Sequence, residues 1–259
     1  MGKHSSNVLN CTRRTALRLP AFWAALWPPR SLASSKTFIV GSTATGVPFS
    51  FIDVKTNTLT GAMVDLVKAI AQDAGFQIEL LTTGFGALIP SLTARKIDII
   101  AAAMLKTPAR AKAVDFSEPV YSYGGGIVIP AGVQRKYPTI EDLRGLTVGA
   151  QVGTRFFEQL QAAGVKEIKT YDNLMEMLGD LSVGRIGAAY GDTPIFAYQI
   201  AQLKIKSARL AQEFRPPTVE DVCLVVRKGD TELLNRINTS VQRLRSTVIK
   251  VILNRWGLH

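Results

Sequence analysis

The sequence predicts an α/β protein of two lobes, each a mainly parallel sheet flanked by helices, the lobes joined by two crossovers. Three observations predict it. Short apolar runs alternate with amphipathic helical runs, the pattern of βαβ units whose helices cover a parallel sheet. The alternation is interrupted at Gly124-Gly125-Gly126 and then starts again. After Pro216-Pro217 one further apolar run and a long helical run close the chain. The second block is therefore inserted into the first. The expected lobes are 34–127 together with 222–259, and 128–221.

Each element has its own signal. Residues 38–41 read as a strand. Met63, Leu66, Val67, Ile70 and Ala74 share one helical face, and Gly75 ends that helix. Residues 78–81 are a strand, 88–94 a helix and 97–104 a buried strand. The three glycines then lead into the run 127–130. Glycine entering a strand packs little and costs chain entropy, so the stretch is either a crossing between lobes or a plain turn. The second block reads as strand 146–150, helix 155–161, strand 168–171, helix 174–183, strand 187–190 and helix 194–203. Strand 222–226, ended by Lys228-Gly229, precedes a helix over 232–245, and 249–256 closes the chain.

A chain of 259 residues can bury one large core or two small ones. Its 47% hydrophobic and 20% charged residues exclude a disordered protein. The net charge of +11 suggests a nucleic-acid partner, but residues 1–33 hold five basic residues and no acidic one. The 26 remaining basic residues face 20 acidic ones and are spread along the chain. The densest basic stretch, 236–255, has helical spacing and few aromatics and reads as a solvated face, so no nucleic acid is expected.

Residues 1–33 read as an export signal: Arg13-Arg14, a short apolar run over 19–27, then Ser31-Leu32-Ala33 with small residues at a cleavage site. Arg13-Arg14 with Leu17-Arg18 resembles a twin-arginine signal, although Ala16 is small for one. The run is too short to span a bilayer. The expected location is the periplasm. Cys11 lies in the removed segment, so Cys223 is the lone thiol of the mature chain and no disulfide forms within it. His4 and His259 are the only histidines. No metal, cofactor or catalytic residue is expected.

The chemistry concentrates in one corner. The apolar run 97–104 breaks at Thr107-Pro108 into a turn that carries Arg110. A planar guanidinium at a strand-to-helix corner is suited to gripping a carboxylate by two parallel hydrogen bonds. The structural alternative is a surface arginine paired with Asp115 or Glu118. Asp192 follows the strand 187–190 and precedes Pro194, where it is an N-cap or a cleft acid. Gly153-Thr154 stands at a helix start, whose free N–H groups favour an anion.

The chain resembles the family 3 extracellular solute-binding proteins, the amino-acid receptors of ABC importers, over nearly all of 36–256. The motifs are Gly41-Ser-Thr-Ala-Thr-Gly-Val-Pro-Phe-Ser-Phe51, Gly61-Ala-Met-Val-Asp-Leu66, Phe85-Gly-Ala-Leu-Ile-Pro90, Thr107-Pro-Ala-Arg110, Val114-Asp-Phe-Ser-Glu-Pro119, Leu143-Arg-Gly-Leu-Thr-Val-Gly149, Val152-Gly-Thr154 and Arg227-Lys-Gly-Asp230. Each is weak alone; their order and spacing make the likeness specific. The resemblance implies a type II periplasmic-binding-protein fold that closes on an amino acid or related small carboxylate. Arg110, with Gly153 and Thr154, would hold the ligand's carboxylate, and Asp192 its ammonium. Phe49, Phe51 and Phe85 would form an aromatic wall. The implied partner is an ABC-transporter permease, and the implied state a monomer.

Two positions depart from the family pattern. Thr43 is neutral where an acid is common, which argues against a cationic ligand side chain. Leu105 replaces a hydroxyl residue, and Ala101, Ala102 and Ala103 add none. An apolar or small neutral ligand, or one without a standard ammonium, is favoured. The alternatives are a cyclohexadienyl-dehydratase-like enzyme on the same fold and a ligand-sensing partner of a membrane receptor.

Overall fold

The structure, a computed structural model, describes residues 36–258. The expected export signal with His4 and Cys11, and the terminal His259, lie outside the described residues.

The first half alternates as read. β1 (Thr37–Ser42) is followed by a small antiparallel sheet of β2 (Thr45–Gly46), β3 (Ser50–Asp53) and β4 (Thr58–Thr60). Then come α1 (Ala62–Ala74), β5 (Gln77–Thr82), α2 (Leu88–Thr93), β6 (Ile99–Ile100), α3 (Pro108–Ala111) and β7 (Val114–Phe116). The apolar face of α1 is buried through Met63, Leu66, Val67 and Ile70, and Gly75 closes the helix in the left-handed conformation. β8 (Tyr121–Pro130) leads into β9 (Thr147–Gln151), α4 (Arg155–Ala162), β10 (Glu167–Tyr171), α5 (Leu174–Ser182), β11 (Ala188–Asp192), α6 (Thr193–Gln202) and β12 (Ala208–Leu210). β13 (Val219–Val222) and β14 (Val225–Arg227) precede α7 (Thr231–Leu244), a π-helical turn and α8 (Lys250–Arg255).

Two main sheets result. One has the order β5-β1-β6-β14-β7, parallel from β5 to β6 and antiparallel beyond. The other has the order β10-β9-β11-β8-β12, parallel through β10, β9 and β11 and antiparallel at β8 and β12. β14 thus returns the end of the chain to the first sheet, pairing with β6 and β7.

Three stretches differ from the sequence reading. The apolar run 97–104 contributes only Ile99–Ile100 to the ladder, because Ala103 has φ 53° and turns the chain out of the sheet. The run 222–226 is two strands, parted where Leu224 N–H donates to the Ser117 hydroxyl at 2.9 Å. The glycine run is no turn. It lies inside the ten-residue β8, whose first four residues pair with β13 while Gly125 onward pairs with β11. Gly125 is required there, because a Cβ would sit 2.7 Å from the Tyr190 hydroxyl and 2.8 Å from the Phe156 ring.

Candidate functional site

The C-terminal ends of β9 and β11 face the corner after β6, the place where open α/β sheets bind ligands. Thr107 is the N-cap of α3, and its hydroxyl accepts the Arg110 N–H at 3.2 Å. The cap aims the Arg110 side chain back along the chain. Its Nη1 donates to the Leu105 carbonyl at 2.7 Å and its Nη2 to the Gly153 carbonyl at 3.2 Å. The guanidinium carbon lies 5.5 Å from the centre of the Phe85 ring. The acids that a surface arginine would take are engaged elsewhere: Asp115 with Lys228 at 2.7 Å, Glu118 with Arg245 at 2.9 Å. Burial pulls the Arg110 pKa below its ordinary value, and Tyr123, Asp192 and Glu158 oppose that shift. A guanidinium stays charged under such a shift.

Gly153 has φ 74°, a conformation that suits glycine. A Cβ there would meet Gly86 Cα at 2.7 Å, so the two backbones touch where the ends of the two sheets meet. Thr154 is buried at the N-cap position of α4, but its hydroxyl donates to the Gln151 carbonyl at 2.7 Å rather than capping the helix.

Asp192 stands at the N-cap position of α6 and makes no side-chain cap. Its Oδ1 instead accepts the Tyr123 hydroxyl. Burial raises its pKa, while the Tyr123 hydrogen bond and the charges of Arg110 and Arg155 hold the rise back.

A cavity of about 20 Å³ lies between these elements. Thr43, Phe49, Phe85, Ala103 and Asp192 all line it. Thr43 pairs with Ser50, hydroxyl to hydroxyl, at 2.8 Å. Arg110, Gly153, Thr154 and Leu105 are not among the lining residues; Arg110 joins Leu105 to Gly153 through their carbonyls. Phe51 is not brought to the cavity: its ring packs edge-on against Trp256, with centres 5.7 Å apart. Sequence reasoning missed, among others, the lining residues Thr45, Gly46, Ser50, Gln151, Leu174 and Ile195. Gln151 ends β9, and Leu174 and Ile195 lie in the first turns of α5 and α6. The rule that sites lie beyond the carboxyl ends of strands was the signal for these last three.

The family model of the bacterial extracellular solute-binding proteins, family 3, matches residues 38–259. The chain belongs to that family. The putative ABC transporter arginine-binding protein 2 of Escherichia coli K12 is 30% identical to it over 234 residues, covering 87% of this chain and 93% of that protein. The L-cystine-binding protein TcyJ of the same strain is 27% identical over 223 residues, covering 85% of this chain and 82% of its own. An ancestral arginine-binding protein bound to arginine has a TM-score of 0.79 and 33% identity, covering 86% of this chain and 99% of that one. The two-lobed type II fold follows, and with it an extracellular solute-binding protein rather than an enzyme.

Proposed function

We propose that this solute-binding protein captures an amino acid with a neutral side chain in the cleft and delivers it to an ABC-transporter permease. The observation that carries this reading is the charge of the cavity lining. Among the described residues Asp192 is the single charged one in that lining, and Arg110 stands just behind Phe85. Asp192 takes the ligand's ammonium. Arg110, which donates to carbonyl oxygens that a carboxylate outbids, takes its carboxylate, helped by the start of α4 at Gly153 and Thr154. Phe49, Phe85, Leu174 and Ile195 surround the side chain. Several relatives are named for arginine. Here the lining offers a cationic side chain no second acid: Thr43 is neutral and already bonded to Ser50. Burying a cation against that wall costs its hydration without a counter-charge.

A space of about 20 Å³ holds about one water, so the lobes part to admit an amino acid. The lobes are 34–127 with 222–259, and 128–221, and the β8–β13 ribbon is the hinge between them. The protein acts as a periplasmic monomer after export and loss of residues 1–33.

A thermal-shift screen of residues 34–259 against the twenty amino acids tests the reading. A ligand at 100 times its Kd adds about 2.7 kcal/mol of stability. A neutral amino acid gives the largest rise in Tm. A largest rise with arginine or lysine, or no rise with any, overturns it.

A further inference from the structure

The β8–β13 ribbon sets Tyr123 directly opposite Glu220. Both side chains reach the same charged cluster by different routes. The Tyr123 ring stacks on Phe49, a cavity-lining residue, with centres 5.7 Å apart and planes 23° from parallel, and its hydroxyl donates to Asp192. Glu220 accepts Arg155 Nη1, which also donates to the Thr218 hydroxyl at 2.7 Å. Arg155 is buried, and among the described residues its Nε and Nη2 have no hydrogen-bond partner, nor has Glu220 Oε2. A buried guanidinium with two unpartnered nitrogens, whose charge lowers the pKa of Asp192, would compete for that carboxyl if Glu220 released it.

We propose that the Tyr123–Glu220 rung is the positioning unit of the cleft acid: Tyr123 fixes the Asp192 carboxyl, and Glu220 holds Arg155 away from it so that it stays free for the ligand's ammonium. This rests on Asp192 being the ammonium site. The rung lies in the ribbon assigned as the hinge, so the acid's orientation is set by the element that bends.

The charged and titratable groups that face Asp192 are Tyr123 from β8, Arg110 from α3, Arg155 from α4 and Tyr190 from its own strand β11. Burial holds the carboxyl above its ordinary pKa, so its favourable contribution to stability is complete below about pH 4 and is lost as pH rises through its folded value. The Tyr123 hydroxyl limits that loss by bonding the ionised form. Removing the hydroxyl therefore costs more at neutral pH than in acid.

Urea unfolding of Tyr123→Phe, which keeps the stack on Phe49, is compared with wild type at about pH 4 and about pH 7. The fall in midpoint at neutral pH is at least twice that in acid, and in an Asp192→Asn background it is equal at both. The carboxyl ¹³C titration of Asp192 gives the second reading. Its midpoint moves up in Tyr123→Phe and down in Glu220→Gln, where the released Arg155 turns to Asp192. The double variant Arg155→Gln, Glu220→Gln, which removes both charges together, brings the midpoint back up to at least its wild-type position. Midpoints that move the same way in Tyr123→Phe and Glu220→Gln, a double variant that stays low, or a pH-independent Tyr123→Phe cost, overturn the proposal. No ligand enters either measurement, so a failure here leaves the amino-acid reading standing, and a failed ligand screen leaves the rung standing.

Discussion

Arg110 and Arg155 are alike in setting and opposite in partners. Each stands at the start of a helix and lies over a phenylalanine ring, Phe85 at 5.5 Å and Phe156 at 5.3 Å. Burial lowers the pKa of both. Arg155 has a carboxylate, Glu220; among the described residues the Arg110 guanidinium donates only to carbonyl oxygens and no acid forms an ion pair with it. A half-buried cation left without a protein counter-charge is open to a ligand's carboxylate, whereas one already paired is part of the frame. Burial and charge alone do not separate the two; the partner does.

Breaking the paired side has the largest expected effect. Glu220→Ala leaves a buried guanidinium uncompensated and lowers stability by about 3 kcal/mol, read by urea unfolding. On the open side the effect moves from stability to binding. Asp192→Ala weakens the ligand found by the screen by about 2–5 kcal/mol, at least tenfold, by calorimetry. In wild type that affinity falls as pH drops through the raised pKa of Asp192, because the protonated carboxyl no longer pairs with an ammonium. Gly153→Ala sharpens the comparison at its contact point. The left-handed backbone costs about 1–2 kcal/mol, and the methyl group meets Gly86, so affinity falls together with stability. The smallest effect is at the exposed pair: Lys228→Ala removes the charged partner of Asp115, which keeps the Gly229 N–H, and costs under about 1 kcal/mol in urea unfolding.

The same contrast marks what could be read from sequence. α1 and α7 were legible because their apolar residues recur at helical spacing and all of them meet one core. The hairpin sheet of β2, β3 and β4 was not, since its strands are two to four residues long and partly polar. The short β6 was overread because an alanine run carries no sign that Ala103 will turn left-handed. At the site, Arg110 could be read from Thr107 and Pro108, which lie three and two residues before it. The Tyr123–Asp192 and Arg155–Glu220 contacts join residues 69 and 65 positions apart. Neither spacing leaves a local pattern, and Phe51 could not be told from Phe49 until its packing on Trp256 was visible.

The most direct measurement takes affinity and urea stability on the same Arg110→Ala protein. Affinity for the amino acid identified by the screen falls at least tenfold, about 1.4 kcal/mol or more, while stability changes by less than about 1 kcal/mol. Unchanged affinity, or a loss of stability as large as that of Glu220→Ala, would contradict the assignment of Arg110 as the open, ligand-gripping member of the pair.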